Sequence, residues 1–115
     1  MSDTPDVPYQ TITASEASEL IAQGTRIIDV RQPEEWQGGH IAEASLVPLN
    51  NSIFRFGMAL RELNLPAEEP VIFVCHSGMR SATACEIARV AGLQTVYNLK
   101  GGMVSWSNGH LPIVL

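Results

Sequence analysis

The sequence predicts a single α/β domain built around a mainly parallel sheet, and three observations support this prediction. The chain has 115 residues, enough for one domain and too few for two. The run Val71–Val74 is continuously apolar and rich in β-branched residues, which is typical of a strand covered on both faces. Such short apolar runs alternate along the chain with segments that carry helix signals, and this alternation favours parallel strands joined by helices.

Capping and stop signals bound the predicted helices. Thr13 and Glu16 form a T-x-x-E capping box that opens the first helix, and Gly24 suits the position just after its end. Pro33 fits the first turn of a short second helix, where the acidic residues that follow it are favourable. Further helices are predicted over residues 50–63, from Arg80 or Ser81 to residue 91, and around residues 104–106. Strands are predicted over residues 26–30, 45–49, 71–74 and 95–99.

Composition and charge exclude several classes of function. The hydrophobic fraction of 45% and the charged fraction of 17% are those of a globular domain. The net charge of −5 disfavours nucleic acid and anionic lipid as partners, so any anion site must be made locally. No apolar run approaches the length of about 20 residues that a membrane span requires.

The N-terminal residues and the two cysteines indicate the cellular compartment of the protein. Residues 1–9 read as a loose polar lead-in with neither the basic nor the apolar region of a secretory signal. Cys75 and Cys85 do not make a disulfide framework. We therefore expect a cytoplasmic protein, because a free thiol persists in a reducing compartment.

The segment with chemical content begins where the run Val71–Val74 ends. Cys75 follows the strand directly, a short loop containing Gly78 comes next, and a helix then begins. Free N–H groups of such a loop and of a helix N-terminus favour an anion, and so they favour a thiolate over a thiol. Arg80 adds a permanent positive charge. The pattern predicts that Cys75 is a nucleophile, whereas a lone cysteine at a strand end is more often a small buried hydrophobe.

Three motifs resemble those of one family. Residues 75–81, Cys-His-Ser-Gly-Met-Arg-Ser, resemble the active-site loop C-x-x-G-x-R-S of rhodanese domains. Residues 29–41, which include Asp-Val-Arg, Pro-Glu-Glu-Trp and Gly-His-Ile, are similar to the first rhodanese signature. Residues 99–102, Leu-Lys-Gly-Gly, together with Trp106, Gly109 and Pro112, are similar to the C-terminal one. The resemblance implies a rhodanese-like domain over residues 10–115, with about five strands and helices on both faces. Glu43 departs from the pattern, since the family usually has glycine there.

The resemblance also implies a reaction, the transfer of sulfane sulfur through a persulfide on Cys75. The donor would be a small sulfur-containing anion such as thiosulfate, or a persulfide, and the acceptor would be cyanide or a thiol, including a protein thiol. No metal or organic cofactor is expected, because the cysteine carries the sulfur. The expected catalytic residues are Cys75 and Arg80. The expected substrate-binding residues are His76, Ser77, Gly78, Met79 and Ser81.

The sequence leaves other functions open. A sulfur carrier between two proteins would use the same chemistry, and some rhodanese domains serve as interaction modules without catalysis. Phosphatases and arsenate reductases are less favoured, because their family pattern places one more residue between cysteine and arginine than the four found between Cys75 and Arg80. A catalytic role also requires that donors reach the sulfur of Cys75.

Several other polar residues have structural alternatives. Asp29 and Arg31 flank a strand end and either line the site or, as we prefer, pair with neighbouring groups. His40 is expected to pack and form hydrogen bonds. Cys85 is either a resolving cysteine or, more in keeping with its helical position, a small buried residue. The two tryptophans are expected in or near the core, and the histidines and cysteines lack the spacing of a zinc site.

Overall fold

The protein is described by a computed structural model that covers residues 8–50 and 52–115 and places five parallel strands in one sheet. The strands are β1 (Gln10–Ile12), β2 (Arg26–Asp29), β3 (Ser45–Leu46), β4 (Val71–Val74) and β5 (Val96–Leu99). The helices are α1 (Ala14–Ala22), α2 (Pro33–Gln37), α3 (Ile53–Glu62), α4 (Met79–Val90) and α5 (Gly102–Asn108). The strand order is β1-β5-β4-β2-β3, and every neighbouring pair is parallel. The predicted α/β class and parallel sheet are confirmed.

Strand β4 separates two apolar cores because its side chains alternate between the faces of the sheet. Val71 and Phe73 join the core beneath α3 and α4, whereas Ile72 and Val74 join the core beneath α1 and α5. All four residues are fully buried. The predicted placement of helices on both faces is therefore confirmed. Because helices cover both faces of β4, every residue of the strand is apolar.

The helix signals acted as predicted. The hydroxyl oxygen of Thr13 accepts a hydrogen bond from the N–H of Glu16 at 3.1 Å, and the Glu16 carboxylate accepts one from the N–H of Thr13 at 2.9 Å. Gly24 follows the end of α1 with φ of +97°, a left-handed conformation that favours glycine. Pro33 is the first residue of α2.

Several boundaries differ from the prediction. Helix α3 begins at Ile53 rather than residue 50, because the hydroxyl of Ser52 caps it by accepting from the N–H of Arg55 at 3.1 Å. Strand β3 is two residues long, although the N–H groups of Val47 and Leu49 on either side of Pro48 donate to the carbonyl groups of Asp29 and Val30. Strand β1 was not predicted at all. It is a three-residue edge strand whose pattern has a single buried residue, Ile12, so its sequence carries little strand signal.

Residues 1–7 of the predicted lead-in lie outside the described residues. Within 8–50 and 52–115, no helix is long and apolar enough to span a bilayer.

The start of α5 lies directly against the end of β4. The N–H of Met103 donates to the carbonyl of Cys75 at 2.8 Å, and the N–H of Val104 donates to the carbonyl of His76 at 3.1 Å. Gly102 has φ of +56°, and a Cβ atom at this position would collide with both carbonyl groups. The close approach of these two segments therefore requires glycine.

We predict that Gly102→Ala destabilises the fold much more than Gly24→Ala does. Both glycines have positive φ, but a Cβ on Gly24 meets nothing within 4 Å. Strain alone costs about 1 kcal/mol, whereas the collision at Gly102 raises the total loss to about 3 kcal/mol or more. Urea unfolding followed by circular dichroism measures both values. If both variants lost the same free energy of unfolding, the collision with the Cys75 and His76 carbonyl groups would not be the cause.

Candidate active site

Residues 75–78 form a loop that joins the centre of the sheet to α4. Cys75 directly follows β4, and Gly78 lies just before Met79, the first residue of α4. Gly78 has φ of +105°, so the loop uses the conformational freedom that glycine provides. The carboxyl end of a central parallel strand thus meets a helix N-terminus, which is a favourable place for an anion.

The sulfur of Cys75 points into this loop. It accepts a hydrogen bond from the N–H of Gly78 at 3.0 Å, and it lies 3.3 Å from the hydroxyl oxygen of Ser81. Burial raises the pKa of the Cys75 thiol, but hydrogen bonds from the Ser81 hydroxyl and from the N–H groups of Ser81, Gly78 and Ser77 lower it. The balance places the pKa of Cys75 below its ordinary value, so the surroundings favour the thiolate.

A second residue, Asn98 on β5, controls the Ser81 hydroxyl. The side-chain N–H of Asn98 donates to the carbonyl of Gly78 at 3.1 Å, which turns its oxygen toward Ser81. The Ser81 hydroxyl donates to that oxygen at 2.5 Å. A hydroxyl has one proton, so Ser81 can donate to the Cys75 sulfur only by turning away from Asn98. Asn98 was missed at the sequence level, although a buried polar residue in an apolar strand was a usable signal.

The sulfur is less accessible than the sequence analysis required. Only 1% of Cys75 is exposed, because its side chain is directed into the loop's own N–H groups. The loop residues around it are open to solvent. His76 and Ser77 are exposed, and 79% of Met79 is exposed. Cys75 therefore lies at the base of a loop whose rim is exposed.

Arg80 forms a two-pronged ion pair with Glu35 beside the loop. The two terminal nitrogens of the guanidinium donate to the two carboxylate oxygens at 2.7 and 2.9 Å. Hydrogen bonds from Arg80 lower the pKa of Glu35 to about 2, and the Glu35 carboxylate raises the pKa of Arg80. Both groups are thus charged at neutral pH. Glu35 was not among the predicted site residues.

The ion pair lies between two open clefts beside the loop. Arg80 and Met79 line one of them together with Gln32. Glu35 and His76 line the other.

Comparison with known proteins identifies the family. Residues 13–109 match the Rhodanese-like domain family. The chain belongs to this family.

Three similar proteins illustrate the relationship. The uncharacterized protein YqhL of Bacillus subtilis is 36% identical over 81 residues, which are 70% of this chain and 60% of that protein. Thiosulfate sulfurtransferase GlpE of Pseudomonas paraeruginosa is 31% identical over 106 residues, which are 92% of this chain and 87% of GlpE. The crystal structure of a rhodanese-related protein from Thermoplasma volcanium has 32% sequence identity and a TM-score of 0.74, and the match covers 93% of this chain and 99% of that one.

The remaining polar residues of this rhodanese-like domain are structural in their contacts. Asp29 and Arg31 form a buried ion pair with a shortest distance of 2.9 Å, and Arg31 also donates to the carbonyl of Gly39 at 2.8 Å. The ring of His40 stacks on Trp36 with centroids 3.6 Å apart. These contacts agree with the structural interpretation of Asp29, Arg31 and His40.

Cys85 is fully buried, and burial, with Glu86 and Cys75 adding to it, raises its pKa to about 12. It is a thiol at neutral pH, which suits packing and not the attack expected of a resolving cysteine. Glu43, the departure from the family pattern, is exposed in a turn closed by a hydrogen bond from the N–H of Ala44 to the carbonyl of Ile41 at 3.0 Å. Among the residues that the structure describes, no three His, Cys, Asp or Glu side chains are grouped to hold a metal ion.

We predict that Ser81→Ala and Asn98→Ala shift the pKa of Cys75 in opposite directions. Ser81→Ala removes the hydroxyl that can turn from Asn98 to donate to the thiolate, and so it raises the pKa. Asn98→Ala releases the Ser81 hydroxyl to donate to the sulfur and lowers the pKa. The pH dependence of Cys75 alkylation by iodoacetamide measures both shifts, because the thiolate is the reacting form. A shift in the same direction for both variants would contradict the competition between Asn98 and the sulfur.

Proposed function

We propose that this rhodanese-like domain transfers sulfane sulfur through a persulfide on Cys75. The observation that carries the proposal is the position of the Cys75 sulfur, 3.0 Å from the Gly78 N–H in a loop whose hydrogen bonds favour the thiolate. The same donors would hold the negative outer sulfur of a persulfide. The name of the similar thiosulfate sulfurtransferase GlpE supports this chemistry.

The first step loads the enzyme. The Cys75 thiolate attacks the outer sulfur of thiosulfate, a bond forms between the two sulfur atoms, and the sulfur–sulfur bond of thiosulfate breaks. Its electron pair leaves with sulfite, so the cysteine carries a persulfide and no external oxidant or reductant is needed. A persulfide donor loads Cys75 in the same way, with a thiolate as the leaving group.

The second step transfers the sulfur from Cys75 to an acceptor. A nucleophile, either a thiolate or cyanide, attacks the outer sulfur of the persulfide. The bond to the Cys75 sulfur breaks, and its electron pair regenerates the Cys75 thiolate. Because the cysteine is both acceptor and donor of the sulfur, a metal or organic cofactor has no part in this scheme.

The burial of Cys75 adds a requirement to the first step. With 1% of the residue exposed, a donor contacts the sulfur only after the loop or the neighbouring side chains move. The exposed rim residues His76, Ser77 and Met79 are the groups that such a donor meets first. We assign them to substrate binding together with Gly78 and Ser81, and we assign Arg80 to the stabilisation of negative charge.

The same chemistry bears on the partners of the protein, on the choice of sulfur over phosphate and on the cellular compartment. A protein that carries persulfide between two partners would use this site unchanged, with an exposed rim as its contact surface. The four residues between Cys75 and Arg80 make a loop that favours sulfur over the bulkier phosphate or arsenate. A reducing compartment such as the cytoplasm suits a free thiol of lowered pKa.

We predict that incubation with thiosulfate increases the intact mass of the protein by one sulfur atom. Cyanide or a thiol should remove the added sulfur. Cys75→Ser should gain nothing, whereas Cys85→Ser should gain the sulfur as the wild type does, because the Cys85 thiol is protonated and buried. Intact-protein mass spectrometry before and after treatment with cyanide measures each of these mass changes.

Equal sulfur transfer by wild type and Cys75→Ser would overturn the proposal and favour an interaction module. Hydrolysis of a phosphate ester without sulfur transfer would favour a phosphatase instead.

We predict that Arg80→Ala lowers kcat/KM for thiosulfate about tenfold, which corresponds to about 1.4 kcal/mol of transition-state stabilisation. The guanidinium is lost, and the Glu35 carboxylate is left without its partner beside the loop. Arg55→Ala is the matched control, since it removes an equal charge from the exposed surface of α3. Steady-state kinetics with cyanide as acceptor compare the two variants. An unchanged rate in Arg80→Ala would remove Arg80 from the mechanism.

A further inference from the structure

Glu35 holds Arg80 from a different element of the fold. Its carboxylate binds both terminal nitrogens of the guanidinium and also accepts the N–H of Gln32 at 3.0 Å. The carboxylate is therefore oriented by α2 while the guanidinium belongs to α4. Two-pronged pairs of this kind are geometrically specific, and they occupy the edge of the arginine that a bound anion would use.

We propose that Glu35 determines donor specificity by withholding the charge of Arg80 from free anionic donors. This inference rests on the proposed sulfur transfer and names the class of donor that the site favours. With Glu35 in place, donors that present sulfane sulfur with at most one negative charge, such as the persulfide group of a thiol, are favoured over the dianion thiosulfate.

The charges around the loop carry this inference. Arg80 interacts electrostatically with the sulfur, since the negative charge of the Cys75 thiolate contributes to raising the pKa of Arg80. The nearby Arg31 is already paired with the buried Asp29. Each of these two cations is thus matched by a carboxylate within 3 Å, in a chain with a net charge of −5. A dianion that approaches the loop meets almost no net positive charge from them.

A simple mechanical role for Glu35 predicts a different result. If the Glu35–Arg80 pair only blocks the path to Cys75, its loss would admit neutral and anionic reagents equally. If Glu35 acts through charge, its loss would accelerate anionic reagents selectively. Two alkylating reagents of similar size separate these roles, because iodoacetate is anionic and iodoacetamide is neutral.

The test compares Glu35→Gln with Glu34→Gln. The glutamine at position 35 keeps an oxygen for the N–H of Gln32 and loses the charge that matches Arg80. Glu34 is the exposed neighbour on the same helix, so Glu34→Gln removes an equal charge from a position without a partner among the described residues. The rates of Cys75 alkylation by the two reagents are measured by peptide mass spectrometry at low and high salt.

In Glu35→Gln we expect the ratio of the iodoacetate rate to the iodoacetamide rate to rise about fivefold at low salt and less at high salt, because both side chains are about one-third exposed and screened. The kcat/KM for thiosulfate should rise by a similar factor. Glu34→Gln should change the ratio by less than about twofold.

Three results would overturn the inference: an unchanged ratio, an equal acceleration by both reagents, or a Cys75 that neither reagent reaches. Failure of the proposed function is distinguishable from these outcomes. In that case the alkylation ratio would still rise in Glu35→Gln, but no variant would acquire sulfur from thiosulfate.

Discussion

The carbonyl groups of Cys75 and His76 are hydrogen-bonded to the first N–H groups of α5, and the geometry of the active-site loop depends on this contact. The contact ties the end of the central strand to the start of α5, and it requires the absence of a side chain at Gly102. With these carbonyl groups engaged on one side, the following N–H groups of the loop are free to face the sulfur. The anion site is therefore a consequence of how two backbone segments pack, and not of a cluster of charged side chains.

Burial and hydrogen bonding oppose each other at Cys75. Removal from water disfavours a thiolate, but the N–H groups, together with the Ser81 hydroxyl when it turns toward the sulfur, more than compensate. Asn98 draws the Ser81 proton away from the sulfur, so the balance depends on a residue of the neighbouring strand. In the proposed sulfur transfer, the burial of Cys75 would shield a persulfide from solvent between the two steps, and the loop or the neighbouring side chains would have to move for each transfer.

The charged residues near the loop are held in matched pairs. Asp29 and Arg31 are buried together beneath α2, where neither has to remain as an unpaired charge. Glu35 and Arg80 form a more exposed pair that connects α2 with the start of α4. Helix α2 therefore does more than join two strands, since it carries the carboxylate that governs the charge of Arg80.

The sequence alone determined the fold class and the place of Cys75 between a buried strand and a helix, because both depend on local patterns. The apolar run Val71–Val74 specified a strand buried on both faces, and Cys75 with a glycine-containing loop specified a thiol at a helix N-terminus. Tertiary structure alone decided the partners of that loop. Glu35 is 45 residues from Arg80 and Asn98 is 17 residues from Ser81, so only the packing of helices and strands brings them together. Pairings over such distances depend on side-chain directions in the folded chain, which no local pattern records.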